Sequence, residues 1–263
     1  MIEIHSHVLP GIDDGAANPA DCLLMLHEYV QQGVTDVIAT PHMDFSQFSS
    51  ASQIDSYLAQ VNRIFDETRQ VVNDKLIPIS LHLGLELVLT SDLLVFLKNR
   101  KSNEGHAVSL AGSNYLLVEL PRFLENGLQT LEPLLFQIQL IGYQAILAHP
   151  ERSMRHPDTF PILEKWVRDD RVKLQINANA LVPPSADSPD SRHDRFHRRN
   201  QYVRQLIEAE MVSFVASDAH DPEVRRPLNR DAYEVVREQY SGEMGKRLCR
   251  ENPRRVLENE TVV

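Results

Sequence analysis

The chain has 263 residues, 42% of them hydrophobic, and carries 37 acidic side chains against 27 Lys and Arg, for a formal net charge of −10. That balance argues against a nucleic-acid binder, which needs clustered cations for phosphate affinity, and no apolar run approaches the roughly 20 residues that cross a bilayer. Cys22 and Cys249 are too few for a disulfide framework and sit in no paired metal motif, so any bound metal is expected on nitrogen and oxygen.

The first element is a short strand. Its Ile2 and Ile4 alternate and run straight into His5, His7, a Pro10-Gly11 turn and the pair Asp13-Asp14. Histidines at i and i+2 share one side of a pleat, or converge as the strand opens into its loop, so both imidazoles can reach one cation. Alone, the stretch reads equally well as a polar strand end with solvated histidines. No basic and apolar leader precedes it, which points to the cytoplasm. Asn18-Pro19 starts a helix that runs to Gly33. A buried strand over 35–40 ends at Pro41-His42, and a Ser-rich loop with Phe45 and Phe48 leads into a helix over 52–73 with helical apolar spacing. Residues 77–89 alternate as a strand carrying Glu86. Ser91 caps a short helix to about Lys101, a strand over 114–120 carries Glu119, and a helix from about Glu125 to Ile141 closes on Gly142.

The strand over 143–148 ends at His149-Pro150. After a helix over 158–168 containing Trp166, the strand 172–177 leads to Asn177 and Asn179. A Pro-rich loop from Val182 to Arg192 precedes a basic helix to Glu210, and the strand 212–216 ends in Ser217-Asp218-Ala219-His220 before two helical stretches that finish near Glu258. About seven strands thus alternate with helices, with no repeat and no composition break, which is the pattern of parallel βα units in one domain over 1–263. If the strands close into a barrel, their C-terminal ends share one face, where such folds build active sites.

Those ends deliver His5, His7, His42, Glu86, Glu119, His149, Asp218 and His220, with Asp14 in the first loop. Singly each is background, as we read His27, His82, His106, His156, His193 and His197. Jointly they form the clustered imidazoles and carboxylates of a metal site. Five His and four carboxylates exceed what one ion needs and suit two or three divalent ions, Mn²⁺, Fe²⁺ or Zn²⁺, with Glu119 as the expected bridging carboxylate. Such a cluster clamps phosphoryl oxygens and lowers the pKa of a water. Arg152 and Arg225 are the candidate phosphate-binding cations, because guanidinium forks match phosphate oxygens; Arg226 and Arg230 read as solvated. The run Arg192, Arg195, Arg198 and Arg199 reads first as an exposed helix face and second as a guide for an acidic partner. A competing motif, Cys249 followed six residues later by Arg255, matches the C-x5-R pattern of a thiolate phosphatase, but the loop has no Gly and loses an N–H at Pro253.

His5-Ser-His7-Val-Leu-Pro-Gly-Ile-Asp-Asp14-Gly, Ala39-Thr-Pro-His42, Gly84-Leu-Glu86, Val118-Glu119, Ala148-His-Pro-Glu-Arg152, Gln175-Ile-Asn-Ala-Asn179 and Ser217-Asp218-Ala-His220 with Arg225 together resemble the PHP (polymerase and histidinol phosphatase) superfamily. Within it the chain is similar to the metal-dependent bacterial protein tyrosine phosphatases of the CpsB/YwqE type, over nearly its whole length. The resemblance implies an α/β fold, a distorted (β/α)7 TIM-like barrel. It also implies a trinuclear, usually manganese, site held by His5, His7, Asp14, His42, Glu86, Glu119, His149, Asp218 and His220, with phosphate bound by Arg152 and Arg225. The substrate it implies is the phosphotyrosine-bearing tail of a bacterial tyrosine kinase that controls capsule or exopolysaccharide synthesis. Two segments depart from the family pattern: 43–48 lacks the basic or glycine-bearing run often found there, and 187–199 is unusually rich in Ser, Arg and His. The expected reaction is hydrolysis of a phosphotyrosyl ester, with Phe45 or Phe48 against the tyrosine ring. The alternatives are a small-molecule phosphatase acting on histidinol phosphate and a non-catalytic module that masks a kinase tail.

Overall fold

The computed structural model describes residues 1–99, 108–122, 127–153 and 158–262. In chain order it forms β1 (Ile2–Ser6), α1 (Pro19–Gln31), β2 (Asp36–Ala39), β3 (His42–Met43), α2 (Ala51–Asp74), β4 (Ser80–Leu83), β5 (Glu86–Val88) and α3 (Ser91–Asn99). There follow β6 (Tyr115–Glu119), α4 (Glu132–Leu140), β7 (Gln144–Ala148), α5 (Thr159–Arg168), β8 (Val172–Asn177), α6 (Asp190–Glu208), β9 (Val212–Ala216), α7 (Asn229–Gln239), α8 (Gly242–Lys246) and α9 (Asn252–Leu257). All the strand pairs are parallel, in the orders β1-β2-β4 and β3-β5-β6-β7-β8-β9.

The two sheets are one wall. Thr40-Pro41 interrupts a single strand path between β2 and β3, and Gly84-Leu85 interrupts the next between β4 and β5, while Gly84 N donates to Ala39 O at 2.8 Å and Glu86 N to Pro41 O at 3.1 Å across the break. At the other edge Ser6 bridges Ala219, Asp218 N donates to His5 O at 2.9 Å and His7 N to Ala219 O at 2.9 Å. Counting each interrupted path once, the described residues make a closed ring of seven parallel strands, the expected (β/α)7 barrel. The expected single strand over 77–89 is corrected to two pieces. A Cβ on Gly84 would stand 2.8 Å from a Leu110 methyl, so the chain turns there on a residue without one.

Alternate strand residues separate two cores. Ile2, Ile4, Ile38, Leu117, Ile146 and Phe214 fill the barrel interior, and Val37, Leu87, Val118, Leu147 and Leu174 face the helices. Burial on both faces explains why these strands read as near-continuous apolar runs. Helix starts follow local chemistry: the Asn18 side chain accepts from Ala20 N and Asp21 N ahead of Pro19, a cap worth about 1 kcal/mol. Helix α6 begins at Asp190, inside the stretch read as loop to Arg192. The expected start at Glu125 and end near Lys101 of two helices, and His106 and His156, lie outside the described residues. Among the described residues no helix is long and apolar enough to cross a membrane.

Candidate active site

Barrel closure brings the strand ends together. Strict alternation from Ile2 and Ile4 would carry His5 and His7 to the opposite face, but the register of β1 on β2 shifts between Glu3 and Ser6, which releases that constraint just before the histidines. Beyond β1 the chain folds back on itself, with Ala16 N donating to His7 O and Gly11 N to Ala16 O. Gly15 lies against His7 so closely that a Cβ there would overlap His7 itself. The fold-back places Asp13 and Asp14 over the barrel mouth. His42 and Glu86 are direct register partners on β3 and β5. Two strand ends adopt left-handed backbone, His149 (φ 35°, ψ 53°) and Asp218 (φ 51°), a conformation that costs energy and concentrates at functional sites.

The nine sequence candidates converge. Four overlapping sets have ligand atoms within 4.8 Å of one another: His7, Asp14, His42 and His220; His5, His7 and Asp218; His5, Glu86 and His149; His42, Glu86 and Glu119. His5, His7, His42 and Glu86 each belong to two sets, so the four sets form one continuous cluster. Glu119 does not hold the central place expected of it. Among the described residues its ion-pair approach is to His42 Nδ1 at 3.5 Å, and it is partly exposed. Fully buried Glu86 occupies the centre instead: Oε1 meets His149 Nε2 at 2.7 Å, and Oε2 lies 2.9 Å from His42 Nδ1 and 3.3 Å from both His5 Nε2 and His7 Nε2. Barrel register sets this depth: β6 carries Glu119 two positions beyond the level of Glu86, so Glu86 lies at the centre of the cluster and Glu119 at its rim.

Outer partners fix which imidazole nitrogen faces inward. His5 Nδ1 donates to Gln175 Oε1 at 2.8 Å, His7 Nδ1 to Asp13 Oδ2 at 2.7 Å, and His220 Nδ1 to the Asp218 carbonyl at 3.0 Å. With the Nδ1 atoms so engaged, the Nε2 atoms of His5 and His7 face each other at 3.3 Å, and buried His220 Nε2 has no hydrogen-bond partner among the described residues. Inward-facing ring nitrogens and carboxylate oxygens packed that closely need positive charge among them, carried by protons or by a metal ion.

The electrostatics agree. Burial lowers the His7 pKa, but Asp13, Asp218 and Glu86 outweigh it and hold the ring well above its ordinary value; His42 is raised to about 10 in the same way, against burial, by Glu119 and Glu86. His220, lowered by burial and by neighbouring His7, sits at about 2 and keeps a free lone pair. Burial would raise Glu86 and Asp218, yet His5 and its neighbours hold Glu86 far down, and Arg152 and His5 do the same for Asp218. The cluster demands positive charge, and imidazole and carboxylate donors without thiolate suit Mn²⁺, Fe²⁺ or Zn²⁺. The residues fit a metal centre.

Asp218 has two faces. Oδ1 lies 3.4 Å from His5 Nε2 and His7 Nε2, while Oδ2 accepts from Asn177 Nδ2 at 2.7 Å, from Arg152 Nη2, and from Arg225 Nη2 at 3.2 Å. One buried carboxylate thus ties both candidate phosphate arginines to the cluster. A cavity of about 840 Å³ opens above, lined by Asp14, His42, Glu119, His149, Arg152 and Arg225. Asp44, Ser46 and Gln47 also line it, and neither Phe45 nor Phe48 is among its lining residues. Phe45 is buried against Phe96 at 4.4 Å and belongs to the core, whereas Phe48 is half-buried and faces Tyr57 at 5.5 Å.

Asp13 and Gln175 had no role in the sequence reading. Asp13 also accepts from His42 N at 3.0 Å and Gly15 N at 2.9 Å; burial raises its pKa, but the His7 hydrogen bond pulls it down to about 2, so it stays ionised. Its signal in the sequence is the doubled aspartate, Asp13-Asp14. Replacing Asp13 by Asn should weaken metal affinity by about 10- to 100-fold, the usual loss when an outer carboxylate partner of a ligand goes. Metal titration of the purified variant checks this, and unchanged affinity would remove Asp13 from the site.

Cys249 is buried, and burial pushes its thiol up to about 12, so it cannot supply a thiolate near neutral pH. Arg226 pairs with Glu28 and Asp231, as a solvated arginine does.

Residues 1–258 match the family described as "Capsular polysaccharide synthesis, CpsB/CapC". The tyrosine-protein phosphatase YwqE of Bacillus subtilis (strain 168) is 28% identical over 262 residues, which cover 100% of this chain and 93% of that protein. The tyrosine-protein phosphatase CpsB of Streptococcus agalactiae serotype V is 26% identical over 270 residues, covering 100% of both. A solved structure, described as belonging to YwqE from Bacillus subtilis and CpsB from Streptococcus pneumoniae, "unique metal-dependent tyrosine phosphatases", superposes with a TM-score of 0.82 at 27% identity, covering 100% of this chain and 96% of that one.

Proposed function

The chain belongs to the CpsB/CapC family of capsular polysaccharide synthesis, and on that premise we propose that it is a metal-dependent phosphatase that hydrolyses phosphotyrosine in a protein substrate. The observation that carries the reading is the double attachment of Asp218, one oxygen among the imidazoles and the other on Arg152 and Arg225. It sets anion-binding forks directly beside a cation-demanding cluster, which is the juxtaposition phosphoryl transfer requires.

His5, His7, Asp14, His42, Glu86, Glu119, His149, Asp218 and His220 would hold two or three divalent ions, with manganese the first choice and Fe²⁺ or Zn²⁺ the alternatives. Such ions, when bound, supply Lewis acidity toward phosphate oxygens and an activated water. The chain's own groups do the rest. Arg152 and Arg225 keep N–H groups beyond those bound by Asp218, and those at the cavity wall receive non-bridging phosphate oxygens bidentately. Asp218 fixes their orientation from below, and Asn177 fixes Asp218. A phenolate leaving group has a pKa near 10, so it departs with little protonation and a dedicated acid is unnecessary. The open mouth admits a side chain still attached to a polypeptide. Within capsule synthesis the natural substrate is the phosphorylated tail of a tyrosine kinase.

Chelation followed by add-back of single metals tests the reading, with a phosphotyrosyl peptide and histidinol phosphate assayed side by side. We expect activity to vanish on chelation, to return best with Mn²⁺, and to favour the peptide. Preference for histidinol phosphate would move the assignment to the small-molecule alternative, and absence of metal-stimulated hydrolysis would leave the binding-module alternative. Cys249→Ser should keep full metal-dependent activity; activity that survives chelator and disappears in that variant would restore the thiolate route.

A further inference from the structure

A second cavity, of about 270 Å³, adjoins the first, and Arg225 borders both. One wall is α6. Arg192, Arg195, Phe196 and Arg199 stand at i, i+3, i+4 and i+7, the spacing that puts them on one face, and all four line this cavity. Pro183 and Pro184 also line it. In a chain with a net charge of −10 the concentration is local.

The arginines here are unspent. Arg226, also at the rim, is neutralised by Glu28 and Asp231. Among the described residues no carboxylate lies within ion-pair distance of Arg192, Arg195 or Arg199, and Glu223 is the single acid of the lining. Arg199 is partly buried, and burial, then the neighbouring charges of Arg152 and Arg195, pulls its pKa down to about 10, against the weaker pull of Glu151 and Asp218. A guanidinium track therefore runs from the candidate phosphate site along α6.

We propose that this groove is a substrate-selecting subsite for the acidic flank of the phosphotyrosyl chain: carboxylates beside the target tyrosine pair with Arg192 and Arg195 while its phosphate lies at Arg152 and Arg225. The inference rests on the phosphatase reading above. Free guanidiniums supply the charge complementarity, Phe196 and the two prolines give an apolar floor for side-chain stems, and continuity through Arg225 lets one extended peptide occupy both cavities. An exposed pair of this kind contributes modestly to binding and is screened by salt, so it selects among substrates without driving the reaction.

The test compares p-nitrophenyl phosphate, a phosphotyrosyl peptide with neutral flanks, and the same peptide with glutamates on both sides, using the metal-loaded enzyme. We expect kcat/KM for the acidic peptide to exceed that for the neutral one by about five- to tenfold at low salt, through KM, and the advantage to shrink at high salt. The double variant Arg192→Gln/Arg195→Gln should bring the acidic peptide down to the neutral one and leave p-nitrophenyl phosphate unchanged, and Arg192→Lys/Arg195→Lys should restore most of the difference. Equal kcat/KM for the two peptides in the wild type, or a preference that survives the Gln variant, overturns the subsite. Failure to hydrolyse all three substrates would instead sink the phosphatase reading on which the subsite depends.

Discussion

Glu86→Gln should lower hydrolysis of a phosphotyrosyl peptide by about 10³-fold or more, the largest effect expected of any isosteric change in this protein. Glu86 is fully buried and touches His5, His7, His42 and His149, so its carboxylate is the negative centre about which the imidazoles are arranged. Glutamine preserves the volume, which keeps the barrel packed, but removes the negative charge that the surrounding imidazoles face. Loss of an ion that stabilises transition-state charge by several kcal/mol corresponds to about a thousandfold in rate. Metal content measured on the same preparation should fall with activity. Glu119→Gln, further out and touching the cluster through His42, should cost less. Equal losses in the two variants would place Glu119 on a level with Glu86, and full activity in Glu86→Gln would remove the buried carboxylate from the reaction.

The second large effect concerns the arginine that Asp218 holds. Arg152→Ala should reduce kcat/KM by about 10²- to 10³-fold, the loss typical of one preorganised donor to developing charge. The fold should tolerate the change, since Asp218 retains Arg225 and Asn177 as partners. Lysine should recover part of the loss, because it restores charge without the planar fork. Weaker inhibition by inorganic phosphate would accompany the loss if Arg152 binds the phosphoryl group. Unchanged phosphate inhibition with low kcat would mean that it acts on Asp218 alone. Arg225, which faces exposed Asp14 as well as Asp218, should show a smaller effect on alanine substitution.

Most of the candidate site was legible as residue types at strand ends. A parallel strand buried on both faces has no reason to end in His or Asp unless that end faces a site, and His42, Glu86, His149, Asp218 and His220 all stand out on that ground. Roles that depend on depth and angle were not legible. Asp13 and Asp14 are adjacent and chemically alike, yet the turn buries the first against His7 and leaves the second largely exposed over the mouth. Phe45 stands in a loop by sequence and in the core by structure, because its short 3₁₀ turn, capped by Asp44, tips the ring onto Phe96. Likewise, nothing local says that the α6 arginines face the same opening as Arg225.

By itself the sequence determined the order of strands and helices, the apolar faces that make the walls, and the inventory of imidazoles, carboxylates and arginines. Periodicity and capping act over a few residues, and each carries its information in one stretch of chain. Tertiary structure alone decided which of those groups meet. Closing seven strands brings His5 against Glu86 and Asp218, the register shift in β1 aims the first two histidines, and register between neighbours places Glu86 at the centre and Glu119 at the rim. Contacts between residues some 80 to 210 positions apart exist only once the ring is complete, and no local preference encodes their distance or direction.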